Sequence, residues 1–217
     1  MTTSFSDRGA ARRDAVLAVA RELLVEDGFD QFVLRRVAAK AGMKLGNLQY
    51  YFATRDDLLE AVIRAEFEHD LAAVRRATTI DGLTASARAL VRNWTTGAGA
   101  VFGTMSLLAY HHERFRLLNH EIYEAFYREL GVLIRRVTPG LSDQETRMRA
   151  RLITSVLDGV AMQIHAGAKN RTELVTRAAT LVTTIATDPD RVEKLEPPGE
   201  HIRHPVNLPR LAARRTP

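Results

Sequence analysis

The sequence contains no cysteine among its 217 residues. This absence excludes disulfides, thiolate metal sites and cysteine nucleophiles, and it fits a reducing compartment such as the cytoplasm. Long apolar runs are missing too, because no stretch approaches the roughly 18 uninterrupted apolar residues that a membrane-spanning helix needs. The first eight residues lead into a charged segment rather than an apolar signal core. We therefore expect a cytoplasmic protein with no membrane partner.

Sequence motifs for catalysis and metal binding are also missing. Neither a G-x-S-x-G nucleophile elbow nor a phosphate-binding loop occurs. His111 and His112 are adjacent, so on a helix they would point about 100° apart, and no two histidines have the i, i+4 spacing of a helical metal pair. The sequence therefore predicts no enzyme activity, no cofactor and no metal. An enzyme or metal carrier that uses the histidines stays a lesser alternative.

Positive charge is present but unevenly placed. The formal net charge of the chain is +5, yet basic and acidic residues balance within residues 1–60. Between Gln31 and Arg55 the sequence has only basic charges, while the acidic residues lie before and after this segment. A surface that faces DNA requires such a segregation of charge.

Apolar residues recur at helical spacing through most of the chain, and no segment alternates as a strand would. The pattern predicts an all-α fold with a three-helix, helix-turn-helix DNA-binding domain at residues 1–53. A larger helical ligand-binding and dimerisation domain is expected at 54–187. Six of the seven prolines follow Asp188, which predicts a Pro-rich basic tail at 188–217.

Start and stop signals give approximate helix bounds. The three N-terminal helices are expected at about residues 7–26, 34–41 and 45–52, and Thr54 with Asp57 has the spacing of a capping box for a fourth. Ser142 with Glu145 has the same spacing further along the chain. In the larger domain we expect helices around residues 90–94, 112–137, 142–167 and 170–185, with a glycine-broken stretch at 97–103.

Residues 33–52 read VLRRVAAKAGMKLGNLQYYF and have the form of a helix-turn-helix. Small alanines at positions 38 and 41 allow the two helices to approach, and Gly42 permits the sharp turn. Leu48 and Phe52 would anchor the second helix. Its polar and aromatic side chains would then face outward or towards the flanking DNA backbone, namely Lys44, Asn47, Gln49, Tyr50 and Tyr51.

This stretch resembles the TetR family of regulators, whose signature has the form AxxAGVSxGTLYYHF followed by a charged helix start. The matching residues are Ala38, Ala41, Gly42, Gly46, Leu48, Tyr50 and Phe52, then Arg55, Asp56, Asp57 and Leu58. The sequence departs from the signature at Val33, Lys44 and Gln49. The resemblance is specific over residues 12–67, and beyond them only the helix layout is similar.

The resemblance implies roles for seven residues in binding double-stranded operator DNA. Arg35 would approach a phosphate or base, while Lys44, Asn47 and Gln49 would face base edges or backbone. Tyr50, Tyr51 and Arg55 would clamp phosphates. The alternative is that the two tyrosines pack inside the protein and that Arg36 and Lys40 are simply solvated.

The family also implies a homodimer that is held by the last two helices. The expected interface residues are Leu152, Val156, Val160, Leu174, Ala178, Leu181 and Ile185. The other interpretation of these apolar faces is that they close the core of a monomer.

Bulky residues of the larger domain suggest a pocket for a small molecule, although such residues are also common in plain cores. The candidates are Trp94, Phe102, Met105, Tyr110, His111, Phe115, Tyr123, Phe126, Tyr127, Met162 and His165. Few basic residues lie among them, which favours a lipophilic or neutral effector.

The predicted function is a ligand-responsive transcriptional regulator, a repressor that a small molecule releases from its operator, with the fourth helix transmitting the change. Alternatives are an activator, a DNA-binding protein without a ligand, or a protein-binding module that docks through its basic tail. That tail contains Arg203, Arg210, Arg214 and Arg215.

Overall fold

The computed structural model describes residues 5–188, and this part of the chain is all-helical, as predicted. A short 3-10 turn, Phe29–Gln31, follows the first helix. The helices are α1 (Phe5–Asp27), α2 (Leu34–Lys40), α3 (Leu45–Tyr51), α4 (Arg55–Arg76), α5 (Ile80–Trp94), α6 (Ala98–Ala109), α7 (Glu113–Val137), α8 (Asp143–His165) and α9 (Arg171–Thr187). Of the predicted tail, only Asp188 belongs to the described residues, so the tail stays a prediction.

The first three helices form a small bundle around an apolar centre. Val16, Ala20 and Leu24 lie on one face of α1 and are buried against α2 and α4. Gly28 ends α1 with φ of 79°, a left-handed conformation that glycine adopts without strain. Leu48 fills the same centre from α3. The bundle therefore fixes α3 to the protein by one apolar side and leaves its other side uncovered.

Helix α4 begins with a complete capping box. The Thr54 hydroxyl accepts a hydrogen bond of 3.1 Å from the Asp57 backbone N–H, and the Asp57 carboxylate accepts one of 2.9 Å from the Thr54 N–H. Beyond this cap, α4 contacts α1, α5, α6 and α7. It is thus the helix that connects the N-terminal bundle with the longer helices that follow.

The glycine-broken stretch predicted at residues 97–103 is wrong, because α6 runs through it. Glycine within a helix costs roughly 1 kcal/mol relative to alanine. Here the burial of Val101, Met105 and Leu108 offsets that cost. Gly99 is also required by its surroundings, since an added Cβ would overlap the Trp94 carbonyl oxygen and His165 Nε2.

Helices α5 to α9 pack as a second group, in which α7 contacts α8 and α9 contacts both α8 and α5. Ser142 caps α8 by accepting a 3.1 Å hydrogen bond from the Glu145 N–H, as its spacing predicted. Because α1 also contacts α6, the described residues 5–187 cluster as one compact unit. The division at residues 53 and 54 stays a prediction. No helix in the described part is long and apolar enough to span a membrane.

Candidate nucleic-acid interface and interior polar network

The turn between α2 and α3 has helix-turn-helix geometry. Gly42 lies at φ of 63°, and the Met43 N–H donates to the Ala38 carbonyl oxygen at 2.9 Å. Ala38 is buried beneath the turn, where a larger side chain would push the helices apart. Leu48 and Phe52 are buried as well, and they set the orientation of α3. The N-caps of α2 and α3, Val33 and Lys44, donate or accept no side-chain capping bond.

The outer side of α3 carries polar groups that the described protein leaves unused. Lys44, Asn47 and Gln49 are exposed, and their side chains form no hydrogen bond or ion pair with described residues. Tyr50 is 86% exposed, and its ring lies edge-on to that of Tyr51, which is itself half-buried. The alternative in which both tyrosines pack inside therefore does not fit Tyr50. This side of α3 is free to bind another molecule.

Cations beside α3 fall into two classes. Arg36 pairs with Asp27 at 2.8 Å, and Lys40 pairs with Glu22 and Glu26 of α1 at 3.2 and 3.1 Å. Their charge is therefore neutralised within the protein. Arg35 and Lys44 are exposed and have no such partner among the described residues, so they are the cations that remain available.

Arg55 is placed differently from the other predicted contact residues. Its guanidinium lies 3.8 Å from the centre of the Phe29 ring and donates to the Phe29 carbonyl oxygen at 3.2 Å. It joins the start of α4 to the turn after α1. A similar cation–ring contact, which was not predicted, involves Arg13 of α1. Its guanidinium lies 5.3 Å from the ring centre of Phe52. Sequence reasoning missed Arg13, because nothing in the local pattern separates it from Arg12.

A polar network lies inside the protein, where α1, α4 and α5 meet. Glu66 and Asp70 are buried on the apolar side of α4, and Arg21 donates two hydrogen bonds to the Glu66 carboxylate. The amide of Asn93 donates to Glu66 at 3.3 Å and to Asp70 at 2.8 Å. Trp94 Nε1 donates to the second oxygen of Asp70 at 2.5 Å.

Burial raises the pKa of Asp70, against the hydrogen bonds from Trp94 and Asn93 that lower it. The chain of contacts continues to α8, because His165 Nε2 donates to the Trp94 carbonyl oxygen at 2.8 Å. A continuous set of contacts thus links α1 of the N-terminal bundle to α8. Sequence reasoning missed Arg21, Glu66, Asp70 and Asn93. The available signal was the pair of acids four residues apart within the apolar stripe of α4.

Aromatic rings surround this network. The Phe102 ring lies 4.2 Å from that of Phe67 and 5.2 Å from that of Trp94, with Phe126 at 6.4 Å from Trp94. All contacts are edge-to-face. Of the predicted pocket residues, Trp94, Met105, Phe115 and Phe126 are buried, and Phe102, Tyr123 and Tyr127 are half-buried.

Four other predicted pocket residues lie at the surface of the protomer. Tyr110 and His111 occupy the turn between α6 and α7 and are exposed. Met162 is 71% exposed, because it lies on the side of α8 opposite the buried Val160. The His165 ring is exposed, although one of its nitrogen atoms reaches Trp94. The other seven predicted pocket residues lie at least partly inside the protomer, and their role as a pocket stays a prediction.

Tyr123 and Asp158 form a second polar pair, between α7 and α8. The Tyr123 hydroxyl donates to the Asp158 carboxylate at 2.8 Å. Burial raises the pKa of Asp158 to about 6, and the hydrogen bond from Tyr123 opposes this shift only in part. Burial and the neighbouring carboxylate also raise the pKa of Tyr123. At neutral pH the protein thus holds a poorly solvated negative charge between two helices.

Replacing Asp158 by Asn is expected to stabilise the protein at pH 7 but not at pH 4. An acid whose pKa is raised on folding loses stability as the pH rises from its unfolded to its folded value, here between about 4 and about 6. The gain above that window should be about 1 to 3 kcal/mol, since the pair is not wholly buried. Denaturant unfolding at both pH values measures it.

Asp30→Asn is the matched control, because Asp30 is exposed and has no partner among the described residues. The control should change the free energy of unfolding little at either pH. Burial raises the pKa of Asp70 as well, so Asp70 adds a pH dependence of the same sign to every variant. Only the difference in unfolding free energy between variant and wild type is therefore informative. A gain from Asp158→Asn that is equal at both pH values would contradict the assignment.

Residues predicted to form a dimer lie on α8 and α9 with different exposures. Leu152 and Leu181 are 37% and 47% exposed. Val156, Leu174 and Ile185 are half-buried, whereas Val160 and Ala178 are buried within the protomer.

The described residues hold no group of three or more His, Asp or Glu side chains that could bind a metal.

Comparison with known proteins matches residues 16–62, from α1 into α4, to the family described as bacterial regulatory proteins, tetR family. These residues carry the N-terminal domain of that family. The family is one of DNA-binding transcriptional regulators rather than enzymes, and the matched residues contain the free polar side of α3. The helix-turn-helix interpretation of residues 33–52 is thereby confirmed at the level of the domain.

One curated relative of this chain is an uncharacterized HTH-type transcriptional regulator in the dhlA 5′ region of Xanthobacter autotrophicus. It is 26% identical over 174 residues, which cover 75% of this chain and 86% of the relative. A TetR-family regulator from Rhodococcus sp. has the same fold, with a TM-score of 0.70 at 18% identity, covering 82% of this chain and all of that one.

A third similar structure is a transcriptional regulator from Saccharomonospora viridis in complex with choline. Its TM-score is 0.63 at 16% identity, and the match covers 80% of this chain and 96% of that one. These matches show that the fold shared with known regulators includes the helices that follow the helix-turn-helix, because they cover about four fifths of this chain.

Proposed function

We propose that this regulator is a homodimeric repressor that binds operator DNA through α3 and is released by a small molecule. The observation that carries the proposal is the uncovered side of α3, where Lys44, Asn47 and Gln49 have no partner among the described residues. Buried Leu48 holds that helix rigidly from behind. An ordered helix with unsatisfied polar groups is suited to the major groove.

Each exposed group has a chemical counterpart on DNA. The amides of Asn47 and Gln49 can each form two hydrogen bonds with adenine, and Lys44 can donate to guanine or to a phosphate. Arg35 would bind a phosphate. The hydroxyls of Tyr50 and Tyr51 would donate to the DNA backbone, and Arg55 would support the turn beside them.

The dimer would form through α8 and α9, as predicted. Leu152 and Leu181 are exposed large apolar residues, and Leu174 and Ile185 lie partly open beside them. Pairing these helices with a second copy would bury them, which is favourable by about 25 cal/mol per Å² of apolar surface. Two α3 helices would then read two half-sites. Residues 1–53 and 54–187 would act as the DNA-binding and the dimerising domains.

A small effector would bind among the interior aromatic residues, beside the polar network. Displacing Trp94 would disturb its hydrogen bond with Asp70 on α4, and through Glu66 the contact with Arg21 on α1. This route supports release of DNA by a lipophilic or neutral ligand, and the choline complex of a similar fold supports a small organic molecule. Repression in the cytoplasm follows as the simplest mode of action.

Substitutions in α3 test the proposal with DNA selected from a random pool by the wild-type protein. Asn47→Ala is expected to weaken binding by about 1 to 3 kcal/mol and to relax the preference at one base pair. Lys44→Ala should weaken binding to all sequences and reduce the salt dependence by about one released counterion. Fluorescence anisotropy at two salt concentrations measures both effects.

Gln144→Ala is the matched control, because Gln144 is exposed on α8 and far from α3 in sequence. It should bind the selected DNA like the wild type. Failure of the pool to yield a preferred sequence, together with no loss in either α3 variant, would contradict the recognition role. The effector has its own test. If a ligand lowers the affinity of the protein for DNA by some factor, DNA must lower the affinity for that ligand by the same factor.

A further inference from the structure

A groove of about 410 Å³ lies where α5, the end of α8 and the start of α9 meet. It is separate from the uncovered side of α3 and from the interior aromatic residues, none of which line it. Its walls combine guanidinium groups, hydroxyls and aliphatic carbons. The described residues that line it are Arg88, Arg92, Thr95, Ile164, Arg171, Thr172, Val175 and Thr176.

The charge of this groove is of one sign. Arg88, Arg92 and Arg171 are exposed and form no ion pair with described residues, and the described lining contains no Asp or Glu. Elsewhere in the described chain, arginines commonly pair with acids. Examples are Arg64 with Glu121 and Arg114 with Asp57, both at 2.8 Å. Three uncompensated guanidiniums around one cavity create a local positive potential.

The helices place these groups on facing sides. Arg88 and Arg92 are one helical turn apart on α5, so they project from the same side. Thr84 lies one turn before Arg88, and its hydroxyl is 2.9 Å from the Thr183 hydroxyl of α9. This side of α5 therefore packs against α9. Across the groove, Thr172 lies in the first turn of α9, where backbone N–H groups and the helix dipole also favour an anion.

The floor of the groove is apolar. Ile164, near the end of α8, is buried, and Val175 of α9 is half-buried. The hydroxyls of Thr95 and Thr176 already donate to carbonyls of their own helices, whereas the Thr172 hydroxyl has no partner among the described residues. The donors left for a ligand are therefore three guanidiniums and one hydroxyl, arranged above aliphatic side chains.

We propose that this groove binds an organic anion, in which a carboxylate or phosphate group is attached to an apolar chain. Guanidinium groups bind both kinds of head group through paired, charge-assisted hydrogen bonds. Ile164 and Val175 would contact the apolar chain. On α9, the groove residue Thr176 points about 200° away from the predicted interface residue Leu174. It goes beyond the proposed function, since it needs no effect on DNA.

Calorimetric titration of the full chain tests the proposal with decanoate and decyl phosphate, each kept below its micelle concentration. We expect saturable binding of at least one probe with one site per protomer. The double variant Arg88→Gln/Arg92→Gln should lose more than about tenfold in affinity. Arg171→Gln should show a smaller loss. Comparison of the two probes distinguishes a carboxylate from a phosphate ligand.

The matched control is Arg76→Gln/Arg136→Gln, which removes the same charge from exposed residues outside the groove. It should bind the probes like the wild type, and thermal unfolding should show that all variants fold. Decanol should bind more weakly than decanoate and should not respond to the arginine variants. Equal binding by wild type and Arg88→Gln/Arg92→Gln overturns the proposal, as does no binding of either probe at about 1 mM.

Discussion

The substitution Gly159→Arg is expected to leave the protomer folded but to prevent dimerisation and high-affinity DNA binding. Gly159 is exposed on α8, and no heavy atom lies within 4 Å of the position that an added Cβ would take. It shares a helical side with Val156 and with the exposed Met162. In the proposed dimer a partner helix would approach this side closely, and a buried, unpaired guanidinium would be costly there.

The expected loss in affinity is large because the two half-sites would no longer be linked. A single DNA-binding domain lacks the effective concentration that the second one supplies, which amounts to a factor of about 100 or more. Light scattering after gel filtration measures the mass, and fluorescence anisotropy measures the affinity for selected DNA. The mass should fall to that of one chain of 24.2 kDa.

Gly103→Arg is the control for this experiment. Gly103 is also an exposed helical glycine with no heavy atom within 4 Å of an added Cβ, but it lies on α6. This variant should remain dimeric and should bind DNA normally. A Gly159→Arg protein that stays dimeric would place the interface elsewhere and would remove the support that α8 gives to the proposed function.

The second large effect is expected for Gly99→Ala. A methyl group at this position would overlap the carbonyl oxygen of Trp94 and the ring of His165. Because the first of these is a backbone atom, relief requires a shift of the end of α5 and not only of a side chain. We expect a loss of about 3 kcal/mol in the free energy of unfolding, typical of severe overpacking. Denaturant unfolding monitored by circular dichroism measures it.

Gly103→Ala provides a control within the same helix. An alanine there meets no neighbour, so the substitution should stabilise the protein by roughly 1 kcal/mol through helix propensity. Both variants add one methyl group to α6, at positions four residues apart. Their effects on the free energy of unfolding should nevertheless have opposite signs. Two effects of the same sign would mean that the close contact between α6, Trp94 and His165 is absent in solution.

Features that depend on neighbouring residues in the chain could be predicted from the sequence. The turn at Gly42, the anchor at Leu48 and the cap at Thr54 each depend on residues within a few positions of one another. The spacing of these residues therefore carried the information. The family resemblance added the role of α3, since a short helix with polar and aromatic residues has no function by composition alone.

Features that depend on distant residues could not be predicted. Arg21 meets Glu66 across 45 positions, and His165 meets Trp94 across 71. No local pattern encodes such pairs. The same reason explains why the ion pairs of Arg36 and Lys40 were not predicted, because their acidic partners lie on α1. The prediction failed at α6 because glycine spacing gives no information about the apolar surface that a helix will bury.

The polar network of Arg21, Glu66, Asp70, Asn93 and Trp94 also restricts how this chain can diverge. Replacing one member would leave a buried charge or donor without its partner, at a cost of a few kcal/mol. Replacing several together by apolar residues of similar volume would avoid that cost. Descendants of this chain should therefore retain the set or exchange it as a group. In an alignment of close relatives, these positions on α1, α4 and α5 should covary.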